Sequence, residues 1–192
     1  MDLASCVSAL GQPSYRAKQL LSWLYGRVVP SFEDMTDLPA GFRSALAAEW
    51  TLQLPEAVDV QRSADGTRKY LWRLADGATV ESVGIPAEDR LTVCFSTQAG
   101  CAMGCTFCAT GRGGFARNLR PGEMVWQVAL VGRDFGERVS NAVAMGQGEP
   151  FNNYDATLAG LRLMNNPAGQ GVGARHLTVS TCGVIPGIER FA

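Results

Sequence analysis

This sequence of 192 residues has no long apolar run, little histidine and lysine, and almost no net charge. No apolar stretch approaches the roughly 20 residues that a membrane-spanning helix needs, so no membrane partner is expected. The net charge is −1, which does not indicate nucleic-acid binding, although a local basic surface is sufficient for it. The amino terminus has no charged-then-apolar leader, and we therefore expect a cytoplasmic protein in a reducing compartment.

Three cysteines, Cys101, Cys105 and Cys108, are present in the spacing CxxxCxxC. Three thiolates can hold three irons of a [4Fe–4S] cluster, and the fourth iron then stays open to a substrate or cofactor. Zinc is the alternative, but zinc commonly uses two close ligand pairs, and the other candidate ligands are not at pair spacing. These are Cys6, Cys94, Cys182 and the single histidine, His176. The spacing favours a cluster over zinc and over a disulfide framework.

Residues 1–54 are predicted to form a small helical domain. Apolar residues at helical spacing predict a helix over 15–25, with Ser14 as its cap and Gly26 as its stop. A second helix is predicted over 40–50, after a Leu-Pro pair.

Residues 55–89 are predicted to form an antiparallel β extension. Apolar and polar residues alternate there, and Asp65-Gly66 and Asp76-Gly77 are typical of tight turns between strands.

Residues 90–192 alternate between strand, glycine-rich loop and helix, so the fold class is α/β. The right-handed crossovers of such units predict about the first three βα units of a partial (β/α) barrel. Strands are predicted over 91–95, 141–145 and 175–180, and helices over 121–134, over 155–164 and from about 186.

A loop of unusual composition follows each predicted strand, and the three loops are expected to meet at one face of the barrel. The first carries the three cysteines. The second, Gly146–Pro150, has glycines that allow close approach to a ligand, and Glu149 can accept a hydrogen bond from an amino group. The third, Ser180–Gly183, is small and polar. Their convergence predicts a cofactor site.

The spacing of Cys94 and Glu81 in the sequence does not decide between a structural and a catalytic role for either residue. A cysteine within a strand is usually a small buried apolar residue, although its place near the open face permits a reactive thiol. A glutamate at a strand end is usually solvated, and a tuned acid or base is the other interpretation.

Two local groups of basic residues are candidates for contact with RNA, with ordinary surface charge as the alternative for each. They are Arg112, Arg117 and Arg120 after the cysteines, and Arg62, Arg68 and Lys69 in the β extension.

The run from Cys94 to Thr110 resembles the cysteine loop of the RlmN/Cfr family of radical S-adenosylmethionine (SAM) enzymes, and it is closer to the RlmN branch. These enzymes are RNA adenine methyltransferases. The resemblance extends over nearly the whole chain through further ordered matches, at 34–39, 62–67, 114–119 and 148–150.

The resemblance implies a [4Fe–4S] cluster held by Cys101, Cys105 and Cys108, with SAM on its open iron. Gly148 and Glu149 match contacts to the amino end of SAM, and Ser180 matches another SAM contact. One SAM methylates a cysteine near the carboxyl terminus of these enzymes. A second SAM yields a 5′-deoxyadenosyl radical that activates the methyl group for addition to C2 of an adenine.

The same resemblance implies catalytic roles for two residues. Cys94 matches the thiol that forms a disulfide bond with the methyl-carrying cysteine and so releases the product. Glu81 matches the position of a proton acceptor. The implied partners are 23S rRNA and tRNA, with roles in rRNA and tRNA processing, and an electron donor such as flavodoxin. A monomer is expected for the full-length protein.

Two departures from the family pattern stand out. Cys182 occupies a position where the family usually has a residue without a thiol. The sequence reaches Ala192 before the remaining barrel strands and before any methyl-carrying cysteine, so we expect an incomplete amino-terminal part. The alternatives are a Cfr-like C8 methylase and a non-catalytic part that binds a cluster or RNA.

Overall fold

The computed structural model describes residues 3–192. The first part is helical, with a core of apolar side chains from several short elements. These are α1 (Leu3–Ala9), α2 (Arg16–Leu21), a π-helical turn (Ser22–Arg27), a 3-10 turn (Phe32–Asp34) and α3 (Ala40–Glu49).

The predicted ends of the first long helix were wrong. The helix begins at Arg16 after Tyr15, and no side chain caps it, so Ser14 is not its cap. The π-helical turn continues the helix past Gly26, and the left-handed residue that ends it is Val28, with a φ of 54°. Gly26 instead allows close packing, because a Cβ there would lie 3.2 Å from the Ala168 carbonyl oxygen.

One six-stranded sheet contains both the β extension and the strands of the partial barrel, in the order β1-β2-β3-β4-β7-β8. The first four strands pair antiparallel, and β4, β7 and β8 pair parallel. The strands are β1 (Glu56–Arg62), β2 (Arg68–Arg73), β3 (Thr79–Ala87), β4 (Arg90–Phe95), β5 (Gln98–Gly100), β6 (Phe115–Asn118), β7 (Asn141–Ala144) and β8 (Leu177–Val179).

The helices of the second part complete the α/β architecture, which confirms the predicted fold class of a partial barrel. Helix α5 (Pro121–Phe135) packs against β3 and β4 on one face of the sheet, and α6 (Tyr154–Asn165) packs against α5. Buried residues of these helices and strands form the main core. The helices are α4 (Ala109–Arg112), α5 (Pro121–Phe135), α6 (Tyr154–Asn165) and α7 (Ile185–Phe191).

Two side chains of α5 connect it to the helical part, because they donate hydrogen bonds to backbone carbonyls at the end of the π-helical turn. Trp126 donates to the Leu24 carbonyl at 3.0 Å, and Arg133 donates to the Val28 carbonyl at 3.0 Å. These carbonyls lie at a helix end, where they have no partner within the helix. Across residues 3–192, none of the helices combines the length and apolar character needed to cross a membrane.

Candidate active site

The loops that follow β4, β7 and β8 line one cavity of about 290 Å³, which we call the cysteine cavity. Because the three strands are parallel, their carboxyl ends lie at the same edge of the sheet, where active sites of such folds are found. The wall of the cavity includes Cys101, Cys105, Cys108, Gly148, Glu149, Ser180 and Cys182. Six of these seven residues are the ones that the sequence pattern assigned to the metal and the cofactor; the seventh is Cys182.

A short hairpin that the sequence pattern did not indicate closes the ends of the cysteine loop. Strands β5 and β6 pair antiparallel on either side of the loop, and the Cys101 N–H donates to the Gly114 carbonyl at 2.8 Å. At Gly100, just before the first cysteine, φ is 74°, and a Cβ would lie only 2.1 Å from the Gly114 carbonyl oxygen. Only glycine fits this position, because it tolerates the left-handed conformation and has no Cβ.

We expect Gly100→Ala to destabilise the protein by about 2–4 kcal/mol, since it combines backbone strain with a contact that the hairpin cannot absorb. Urea unfolding followed by circular dichroism measures the change. Gly104→Ala is the matched control: Gly104 also has a positive φ, of 64°, but a Cβ there meets nothing within 4 Å. If both variants lose the same stability, the close contact with Gly114 is not the cause.

The six cysteines are free, and those of the CxxxCxxC motif are partly accessible. The backbone N–H of Gly111, followed by the backbone and hydroxyl of Thr110, lowers the pKa of the Cys108 thiol. A lowered pKa favours the thiolate, which is the form that binds metals. Within residues 3–192, no three His, Cys, Asp or Glu side chains are grouped to hold a metal ion. The cysteines are spread along the wall of the cysteine cavity, which offers space for a larger group.

The loop after β7 lies directly against the end of β4. A Cβ on Gly146 would lie 2.7 Å from the Phe95 carbonyl carbon, and one on Gly148 would lie 2.6 Å from the Gln98 Cβ. The Thr97 N–H donates to the Gln147 carbonyl at 2.9 Å. The glycines thus permit the close contact between two loops that the cavity requires.

Glu149 is buried and joins the loop after β7 to the loop after β8. Its Oε1 accepts from the Phe151 N–H at 3.0 Å and from the Thr181 hydroxyl at 2.9 Å. Its Oε2 accepts from the Cys182 N–H at 2.8 Å. Burial raises the pKa of Glu149, but these donors outweigh it, and the net pKa is lowered. The carboxylate is therefore ionised at neutral pH, as an acceptor for an amino group must be.

A layer of buried polar side chains supports the cavity, and apart from Glu149 sequence reasoning missed it. Gln127 on α5 binds the Ser96 backbone twice, by accepting from its N–H at 2.9 Å and donating to its carbonyl at 3.1 Å. Asn153 donates to the Thr97 carbonyl at 2.9 Å. The buried polar side chains described in residues 3–192, apart from Ser82, all belong to this region: Ser96, Thr97, Gln98, Gln127, Glu149, Asn153 and Thr157. The only sequence signal was a glutamine on the apolar face of α5.

Glu81 and Cys94 share the sheet face opposite to α5, outside the wall of the cysteine cavity. Cys94 is directly opposite Val83, and Glu81 is two residues before Val83, so the three side chains point to the same side. Burial raises the pKa of the Cys94 thiol. Glu81 forms an ion pair with Lys69, with 3.1 Å between Oε1 and Nζ.

A second cavity of about 510 Å³, the Glu81 cavity, adjoins the first. Its wall includes Glu81, Gly100, Gln147 and Thr110, and Thr110 also belongs to the wall of the cysteine cavity. The structure thus places a carboxylate in the wall of a cavity that adjoins the one lined by the three cysteines.

Half of the basic residues considered for RNA contact are already paired with carboxylates. Arg117 binds Asp76 and Glu123, Arg68 binds Asp134, and Lys69 binds Glu81. The hydrogen bond from the Arg117 side chain lowers the pKa of Asp76 to about 2. Arg62, Arg112 and Arg120 are exposed.

Comparison with known proteins agrees with this arrangement. Residues 95–192 match the family model of the radical SAM superfamily, so fold and cysteine loop together define a radical SAM protein. Residues 1–52 match the model described as the ribosomal RNA large subunit methyltransferase N-terminal domain. The chain belongs to the RlmN/Cfr family within this superfamily, on its RlmN branch.

Curated relatives share about half of their sequence positions with the chain. A protein of Symbiobacterium thermophilum, described as a probable dual-specificity RNA methyltransferase RlmN, is 47% identical over 194 residues. One of Synechococcus elongatus with the same description is 50% identical over 191 residues. Both matches cover 100% of this chain and 52% of the relative, so the chain spans about half the length of these proteins.

A solved structure has the same fold. The crystal structure of a radical SAM methyltransferase from Sphaerobacter thermophilus superposes with a TM-score of 0.90 at 43% identity. The match covers 98% of this chain and 57% of that protein.

Proposed function

We propose that this chain is the amino-terminal part of a methyltransferase that methylates C2 of an adenine in 23S rRNA, and an adenine of tRNA. The observation that carries the proposal is the convergence of three free cysteines, Glu149 and Ser180 on the cysteine cavity. Family membership supports RNA as the substrate class, since the curated relatives are described as RNA methyltransferases. We also propose the division into a helical domain (1–54), a β extension (55–89) and the barrel part (90–192).

The residues of the cysteine cavity fit the groups that the family implies. Cys101, Cys105 and Cys108 would hold a [4Fe–4S] cluster, and the hydrogen bonds to Cys108 favour the thiolate it needs. Glu149 would hold the amino group of SAM, Gly148 lets its loop reach the site, and Ser180 would donate to SAM. When bound, the cluster supplies an electron and SAM supplies the methyl group and the radical chemistry.

Glu81 and Cys94 act on the RNA adenine and on the intermediate that it forms. In this proposal Glu81 accepts the proton lost from C2 of the adenine, which places the base in the Glu81 cavity. Burial keeps the Cys94 thiol protonated until the intermediate forms. The Cys94 sulfur then bonds to the sulfur of the methyl-carrying cysteine and the bond from that sulfur to carbon breaks. The proton given up by the Cys94 thiol is taken up by the released carbon, which completes the methyl group, and the product leaves. The methyl-carrying cysteine would come from a segment outside these 192 residues.

The test is expression of the whole coding sequence in a bacterial strain that lacks the enzyme, followed by mass spectrometry of nucleosides from 23S rRNA and tRNA. We expect 2-methyladenosine to reappear. 8-Methyladenosine would instead assign a Cfr-like activity, and unmodified adenosine would contradict both assignments.

A second measurement concerns the chain itself. After anaerobic reconstitution and reduction, we expect bound iron and the formation of 5′-deoxyadenosine from SAM. Bound iron without 5′-deoxyadenosine would indicate a non-catalytic part that binds only a cluster. Zinc in place of iron would contradict the proposal that the three cysteines hold an iron–sulfur cluster.

A further inference from the structure

The backbones of Glu81 and Gln147 are joined through a single hydroxyl group. The Ser96 hydroxyl donates to the Glu81 carbonyl at 2.5 Å and accepts from the Gln147 N–H at 2.8 Å. Ser96 is fully buried, so this bridge is shielded from solvent. The Gln147 carbonyl is also fixed, because it accepts from the N–H groups of Thr97 and Gln98 at 2.9 and 3.2 Å. The structure therefore holds Gln147 in a defined position beside Glu81.

The Gln147 side chain lines the Glu81 cavity, and its oxygen is not used within the protein. Gln147 Oε1 is buried and accepts no hydrogen bond from any of residues 3–192. The other such buried side-chain atoms described in these residues lie outside the walls of both cavities: Arg16 Nε, Arg43 Nε and Thr97 Oγ1. A buried acceptor without a partner lowers stability. Because the terminal torsion of glutamine is broad, the amide can rotate and offer its oxygen to an N–H donor in the cavity.

The rest of the wall of the Glu81 cavity fits a flat and neutral ligand. Phe115 on β6 lines the cavity and is 47% exposed, so a face of its ring is open to stacking. Glu81 is the only charged side chain in the wall, which therefore lacks the basic groups that a phosphate needs. Proteins commonly stack an unpaired RNA base on an aromatic side chain and read its Watson–Crick edge by hydrogen bonds.

We infer that Gln147 selects adenine, because its Oε1 accepts a hydrogen bond from the 6-amino group of the target base while Glu81 faces C2. The inference rests on the proposed function, since it takes the Glu81 cavity as the adenine site. In adenine the 6-amino group, N1 and C2 share the Watson–Crick edge, so a base with C2 toward Glu81 presents its amino group at the same edge. Glutamine is a usual partner of the adenine amino group. Guanine has an oxygen in place of this group, which would meet the Gln147 oxygen as a second acceptor.

A comparison of two RNAs on the whole protein, expressed from the complete coding sequence and reconstituted anaerobically, tests the inference. The RNA segment around the target adenine is made once with adenosine and once with purine riboside, which lacks only the 6-amino group. Mass spectrometry of the methylated nucleosides gives kcat/KM for each RNA. Gln147→Met keeps the length of the side chain but removes the amide oxygen. We expect the preference for adenosine over purine riboside to fall about five- to tenfold in Gln147→Met, the change that corresponds to one neutral hydrogen bond.

The ratio of the two rates separates recognition of the amino group from other effects. A loss of folded protein lowers both rates of a variant equally, and the different reactivity of the purine ring is the same for each enzyme. Gln53→Met makes the same substitution at an exposed position outside both cavities and should keep the ratio of the wild type.

Two results would overturn the inference and leave the proposed function intact. One is an equal preference for adenosine in wild type and Gln147→Met, and the other is an equal fall in Gln53→Met. If the wild-type protein does not methylate the RNA made with adenosine, the inference and the proposed function are both wrong.

Discussion

Replacing Cys105 by alanine should leave the anaerobically reconstituted chain with essentially no bound iron. Cys105 is the middle thiol of the three in the cysteine cavity, and two remaining thiolates cannot hold a cubane cluster. Iron and sulfide per chain, together with the visible absorbance of the cluster, measure the loss. Formation of 5′-deoxyadenosine from SAM should fall below detection in the same sample, because no electron reaches SAM.

The control for this experiment is a thiol outside the site. Cys6 lies in the core of the helical part, so Cys6→Ala should keep the iron of the wild type. Wild-type iron in Cys105→Ala would remove Cys105 from the ligand set, and equal loss in Cys6→Ala would indicate a general effect of losing a thiol.

Gln127→Leu is expected to lower the free energy of unfolding by about 2–4 kcal/mol. Leucine fills a similar volume but offers no hydrogen bond, so the N–H and the carbonyl of Ser96 both lose their side-chain partner. Ser96 and Gln127 are both fully buried, and each backbone group left without a partner costs about 1–3 kcal/mol. The expected loss of stability is smaller than the sum of the two largest costs, because the structure around the site relaxes.

Urea unfolding followed by tryptophan fluorescence measures this change. Gln53→Leu makes the same substitution at an exposed position and should change the stability by less than about 0.5 kcal/mol. A loss of less than about 1 kcal/mol in Gln127→Leu would mean that water replaces the side chain and that the layer under the cavity is not dry.

Elements with a strong local signal were predictable from the sequence. The turns at Gly66 and Gly77 have the positive φ that their Asp-Gly pairs indicate, and α5 begins at Pro121 as predicted. Periodicity also separated the helical part from the β extension. These features depend on backbone preferences of a few neighbouring residues, which is why short sequence windows contain them.

Other features depend on contacts between distant segments and were missed or wrong. The π-helical turn continues the first helix past Gly26, which packs against the carbonyl groups of residues 168 and 169, a contact that the local sequence does not indicate. The hairpin around the cysteines depends on the fit of Gly100 to Gly114, which are fourteen residues apart. Arg117 was considered for RNA contact, and its pairing with Asp76 across the fold was invisible in either segment alone.

The cysteine spacing and the ordered motifs around it are local properties of the chain, and they were sufficient to indicate the family and the chemistry of the loops. The partners of each side chain are not local. That Glu149 receives its donors from Thr181 and Cys182, more than thirty residues later, follows from the parallel pairing of β7 and β8, which brings the two loops to one edge. The hydrogen bonding of a buried carboxylate is a property of three-dimensional packing, and it emerges only when the strands are in register.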